Sequence, residues 1–239
     1  MHATLALIHV CNAVVGLLSG ALAMTFRKGS GLHRAAGTIF FGSMLIASAA
    51  GAGMAIFTKP NSGNLMGAVL SFYLVATAWM AARRRDGEVR PLDLVALAMA
   101  MALAIAGGIW GIEATHSAKG VKDAYPSGFY FVFGSFALLF AVSDVRMIVR
   151  GGTAGAQRLT RHIWRMCLAL LFALMSFYPS RASLFSKAVN DSHLMYVPHV
   201  LVAGATIFWM IRVRRGRRAR RDAVVAPLRR NDAAEGRAA

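Results

Sequence analysis

The chain has 239 residues, of which 57% are hydrophobic and only 15% charged, with a formal net charge of +17. A soluble globular domain carries about a quarter of charged residues, so this composition excludes that class. The positive charge resembles a nucleic-acid signature, but its arginines sit in short segments between long apolar runs, which points to a membrane surface instead.

A bilayer-crossing helix needs about 20 mostly apolar residues. Seven stretches qualify, at roughly 3–26, 35–58, 65–82, 92–113, 127–149, 162–185 and 194–213. The first lacks a basic leader and a small-residue cleavage site, so it reads as a retained helix rather than a signal peptide. The expected fold is all-α: a polytopic membrane protein with one seven-helix domain over 1–213. Residues 214–239 read as a basic, disordered tail, charged and without aromatics, whose arginines act as a stop-transfer anchor on anionic lipid.

Orientation follows the Lys/Arg bias. With the N-terminus outside, the inner segments and the C-terminal stretch hold 22 basic residues, and the outer segments hold five: Lys59, Lys119, Lys122, Arg181 and Lys187. N-out, C-in is the expectation, in a bacterial inner membrane, with outer loops including 114–126. Ser30 and Thr160 are placed to cap the helices that follow them. Cys11 and Cys167 fall at different depths, which argues against a disulfide. Trp79 and Trp209 lie at inner helix ends, where belt residues are expected.

The chain reads as duplicated. His33 and His162 each open an apolar helix after the glycine-containing basic segments "RKGSG" and "RGGTAG", and the Trp79-Met80 pair returns as Trp209-Met210. Repeat 1 spans 3–82 and repeat 2 spans 127–213, joined by the fourth helix and parallel about the membrane normal.

Polar side chains inside a bilayer are costly and mark functional candidates. His9, Asn12, Gly16, Ser19, Gly20 and Ala23 form one helical face, and the Gly16–Gly20 step admits a close neighbour. His9 and His199 are expected at one outer depth, with Asn12 as a partner for His9. His33 and His162 are expected at the inner surface, in a cavity lined by Gly37 and Met166. Two imidazoles at one depth are what six-coordinate b-type haem requires. Paired histidines therefore predict haem-iron ligation and electron transfer to a redox partner or quinone. A small transporter or sensor with protonatable histidine gates, and a non-catalytic helper subunit, fit the same residues. Catalytic zinc wants three protein ligands, and His193 and His199 do not share a face. Asp144 reads as the acid of a structural ion pair with Arg146, Arg150 or Arg165. Arg181 reads as snorkelling outward or as holding a haem propionate.

The run "HVCNAVVGLLSGALAMTFRKGSGLHRAAGTIFFGSML" resembles the bacterial membrane-protein family called domain of unknown function 2306. His9, Gly16, Gly20, Lys28, Gly29, His33, Arg34 and Gly37 carry the resemblance, with "AWMAARRRDG" at the end of the third helix. It covers roughly the first 90 residues. In the second half "RHIWRM" is similar to the family's His-x-x-Trp-Met-x-Arg element, with Arg165 intervening between Trp164 and Met166. The resemblance implies the membrane class and marks His9, His33 and His162; it implies no reaction.

Overall fold

The computed structural model describes residues 1–180, 183 and 185–235. The chain is an all-α polytopic membrane protein. Its helices are α1 (His2–Thr25), α2 (Gly31–Phe57), α3 (Ser62–Arg83), α4 (Pro91–His116), α5 (Ser127–Val149), α6 (Gly155–Ser180), a short α7 (Lys187–Asp191) and α8 (Val197–Glu235). Among the described residues, seven segments are long and apolar enough to cross a membrane, the last, Leu194–Gly216, running from the short turn before α8 into that helix. Large apolar side chains such as Leu18, Ile105 and Leu139 remain exposed, as expected when lipid is the solvent.

Local chemistry sets the helix starts. The Ser30 hydroxyl accepts from the His33 amide, and the Asn61 side chain accepts from the Asn64 amide. Pro91 occupies the first turn of α4, and Asp93 reaches back to accept from the Arg90 amide at 2.8 Å. Thr160 is not a cap. The helix already begins at Gly155, and the Thr160 hydroxyl donates to the Ala156 carbonyl one turn back. The polar run 155–161 masks this early start, because its residues are helix-compatible but not apolar. The expected disordered tail differs too: α8 continues as helix to Glu235. Arginine and alanine, which dominate that stretch, are good helix formers.

Helix α3 is central. It packs against α2, α4 and α6; α1 lies along α2, α5 along α4, and α8 along α6. In the proposed duplication α5 is the counterpart of α1, yet α1 lies along its following helix and α5 along its preceding one. The core gathers Phe40, Met66, Leu70, Leu74, Tyr130 and Phe140. Gly16 and Gly20 are buried; a Cβ on Gly16 would lie 2.8 Å from Met44, and one on Gly20 would lie 2.9 Å from Leu170 and Phe40. The closest backbone approach was not marked by the sequence: a Cβ on Gly107 of α4 would lie 2.6 Å from the Gly134 Cα of α5. Both cysteines are free thiols.

The connections segregate to two ends. At the basic end, the Gly87 amide donates to the Thr153 carbonyl, and Arg158 donates to the Arg84 carbonyl and pairs with Asp86 at 3.4 Å. Arg84 pairs with Asp93 at 2.8 Å, both buried. At the opposite end a two-strand hairpin, β1 (Val121–Lys122) and β2 (Tyr125–Pro126), turns through Asp123 and Ala124, both at positive φ. It latches onto α3: Asp123 accepts from the Ser62 amide at 2.8 Å, and the Tyr125 hydroxyl donates to Asn64 at 2.7 Å. Lys122 pairs with Glu113 at 2.9 Å.

Candidate functional site

The four candidate histidines share one feature. In each, ring nitrogen Nδ1 lies against a backbone carbonyl: His9 on Ala47 at 2.8 Å, His33 on Ala23 at 2.9 Å, His162 on Ala78 at 3.1 Å and His199 on Met195 at 3.1 Å. A carbonyl only accepts, so Nδ1 must carry the proton, and a neutral ring then holds its lone pair on Nε2. That tautomer is the one a metal ligand or proton acceptor needs.

The carbonyls divide the set. His199 bonds the Met195 carbonyl four residues back, in the short turn just before α8, and so reaches no other membrane-spanning helix. His9 of α1 bonds α2, His33 of α2 bonds α1, and His162 of α6 bonds α3. Each of these three crosses between helices, and each holds its ring in one orientation.

His33 and His162 line the same cavity, of about 740 Å³, at the basic end between α1, α2, α3, α6 and α8. Gly37 and Met166 line it as well, with an apolar and aromatic wall from Met24, Phe40, Trp79 and Trp209. Phe41 stacks on Trp79 at 4.2 Å from outside that wall. Lys28, Arg34, Arg83 and Arg158 also line the cavity, and among the described residues no carboxylate does. The Lys28 ammonium donates to the Ala23 and Met24 carbonyls at 2.9 and 2.6 Å, filling the C-terminal acceptors of α1, and lies 5.1 Å from the Trp209 ring. Burial lowers its pKa below the ordinary lysine value.

Nothing described brings His9 and His199 together. His9 lies beside Gly51 of α2, where a Cβ would stand 3.1 Å from Nδ1. His199 sits among Tyr178 and Tyr196, at 5.4 and 6.2 Å between ring centroids. Asn12, expected to partner His9, instead donates to the Ile8 carbonyl of its own helix. Among the described residues, no three of His, Cys, Asp and Glu gather as a metal-ligand group, so a three-ligand zinc site has no donor set there. Arg181 lies outside the described residues.

Asp144 forms the other polar focus: of the three arginines expected to pair with it, Arg165 does, while Arg146 and Arg150 do not. Oδ1 accepts from Arg161 at 2.6 Å and Arg165 at 2.5 Å, and Oδ2 accepts from the Tyr73 hydroxyl at 2.7 Å. Arg146 lies two residues from Asp144, on a different face of α5, and is exposed, as is Arg150. Asp144 is 1% exposed and Arg165 0%. The Arg165 guanidinium lies 5.1 Å from the Tyr73 ring and 5.0 Å from the Trp164 ring, while its Nε and Nη1 have no hydrogen-bond partner. Sequence reading missed Arg161 and Tyr73 here. The four-residue step from Arg161 to Arg165, which places both on one helical face, was the available signal for the first. For Tyr73 it was a phenol in the middle of an apolar run.

No family model, curated protein or solved structure matches the chain.

Proposed function

We propose that this membrane protein binds one b-type haem in the basic-end cavity, where His33 and His162 would hold its iron, and exchanges electrons with a redox partner or a quinone. One observation carries the reading: two imidazoles line one cavity, each with Nδ1 fixed on the carbonyl of a different helix and Nε2 left as the ligand nitrogen. The cavity volume falls within the roughly 300–1,000 Å³ of ligand sites. Its aromatic wall suits a porphyrin face, and Arg34 and Arg83, which have no ion-pair partner among the described residues, suit two propionates. Haem bound there would supply a one-electron couple, which the chain would tune through the basicity of the two imidazoles and through burial. On this reading, which also takes the chain as a member of the family it resembles, the basic end faces the cytoplasm of a bacterial inner membrane. His9 and His199 are left out, because nothing described joins them.

The test is the visible spectrum of purified protein produced with adequate haem supply. A low-spin Soret band with sharp reduced bands is expected, and His33→Ala or His162→Ala should each abolish the six-coordinate form. Protein that stays colourless even after haemin addition, or a band unchanged in both variants, overturns the assignment. Colourless protein whose fluorescence follows pH through the histidine range would favour the gating alternative.

A further inference from the structure

A second cavity, of about 520 Å³, opens between α5 and α6 at the same basic end, away from the histidines. Arg146, Arg150, Arg161 and Arg214 line it, and among the described residues no acid does. Among the described residues, Arg146, Arg150 and Arg214 have no ion-pair partner. Asp144 lies beneath, but both its oxygens are taken, and the buried group of Asp144, Arg161 and Arg165 keeps an excess of one positive charge. The groove is thus cationic from its floor and from its rim.

Its polarity also changes with depth. Helix α5 runs toward the basic end and α6 runs away from it. Leu139, Val142 and Trp164 therefore lie on the membrane side of the groove, and Arg146, Arg150 and Arg214 on the outer side. From Leu139 to Arg150 is 11 residues of helix, roughly 16 Å at 1.5 Å per residue. Leu139 is 63% exposed and Val142 40%. A soluble anion leaves the apolar part uncovered, and a zwitterionic headgroup, with no net negative charge, leaves Arg146, Arg150 and Arg214 unbalanced.

We infer that the α5/α6 groove is a binding site for an acidic phospholipid, whose phosphate sits among the arginines and whose acyl chain lies on Leu139, Val142 and Trp164. Arginine is suited to phosphate through paired N–H donors, and the apolar side continues into the bilayer core. The inference does not depend on haem.

The full-length chain in detergent is titrated with phosphatidylglycerol, phosphatidylcholine or glycerol phosphate, and bound species are counted by native mass spectrometry. Phosphatidylglycerol should bind in preference to the other two. Arg146→Gln with Arg150→Gln, both exposed side chains, should weaken it by about 30-fold, the factor for two basic residues near a membrane surface. Arg27→Gln with Arg85→Gln removes the same charge outside the groove and should leave binding unchanged. Equal binding of phosphatidylcholine, or equal loss in both double variants, overturns the site. Glycerol phosphate binding as tightly as the lipid overturns the lipid and leaves a soluble phosphate site.

Discussion

Replacing Asp144 by Asn tests the buried cluster most directly. The shape is kept and one negative charge is removed. Each guanidinium lies within 2.6 Å of the carboxylate, so with charge centres about 4 Å apart and an effective dielectric near 20, each attraction is roughly 4 kcal/mol. Both are lost, about 8 kcal/mol in gross terms. Relief of the carboxylate's own desolvation returns several kcal/mol, leaving a net cost of about 3–5 kcal/mol, the usual range for breaking a buried pair. At 2–4 °C per kcal/mol for a chain of this size, that is roughly 6–20 °C in melting temperature. The assay is thermal unfolding of purified protein in detergent, followed by a tag-fluorescence retention curve. Replacing the whole group at once (Tyr73→Phe, Asp144→Leu, Arg161→Leu, Arg165→Met) should cost far less than the single change, because no orphaned charge remains. A single variant as stable as the parent, or a quadruple variant as damaged as the single one, refutes the argument.

Gly107→Ala should destabilise by about 1–3 kcal/mol through overpacking, since its Cβ meets the Gly134 backbone, whereas Gly108→Ala, with nothing within 4 Å, should not; equal melting curves would refute the close approach. Ala124→Gly should stabilise the opposite-end hairpin by about 1 kcal/mol, because Ala124 holds φ +67°, a left-handed conformation costly to a residue with a Cβ; denaturant or thermal curves read it. Asp123 is held below the ordinary carboxylate pKa by the Ser62 amide. Its stabilisation is therefore fully present above the unfolded value near 3.9 and is lost as pH falls through the lower folded value. The melting difference between parent and Asp123→Asn should stay constant from pH 7 to about 5 and close below about 4.

The architecture was legible because the bilayer imposes it: seven apolar runs of spanning length leave few alternatives. What the sequence could not carry was which helices touch. Asp144 was recognisable as an ion-pair acid, but its partners come from α3 and α6, chosen by packing and not by sequence distance. Likewise the His9, His33 and His162 rings find carbonyls on neighbouring helices, and a carbonyl has no letter in the sequence. His33 and His162 could be matched by their similar settings, whereas His9 and His199 were matched by depth alone. Depth fixes a position along the bundle axis and says nothing about the angle around it. The α6 start was missed because 155–161 is polar, and only the fold shows that this stretch is helix, with Arg161 its one buried side chain.

The arrangement around Asp144 also bears on how the chain enters the membrane. Helix α6 is the least apolar of the seven spans, and it carries both Arg161 and Arg165, a poor passenger for insertion by itself. Tyr73 and Asp144 precede α6 in the chain, so both are synthesised before it, and the acid and the phenol would offer the arriving span a polar surface to dock on in place of a solo insertion. In a variant lacking Asp144, the first casualty would be the insertion of α6 itself, leaving its arginines at the interface and the later part of the chain on the wrong side of the bilayer.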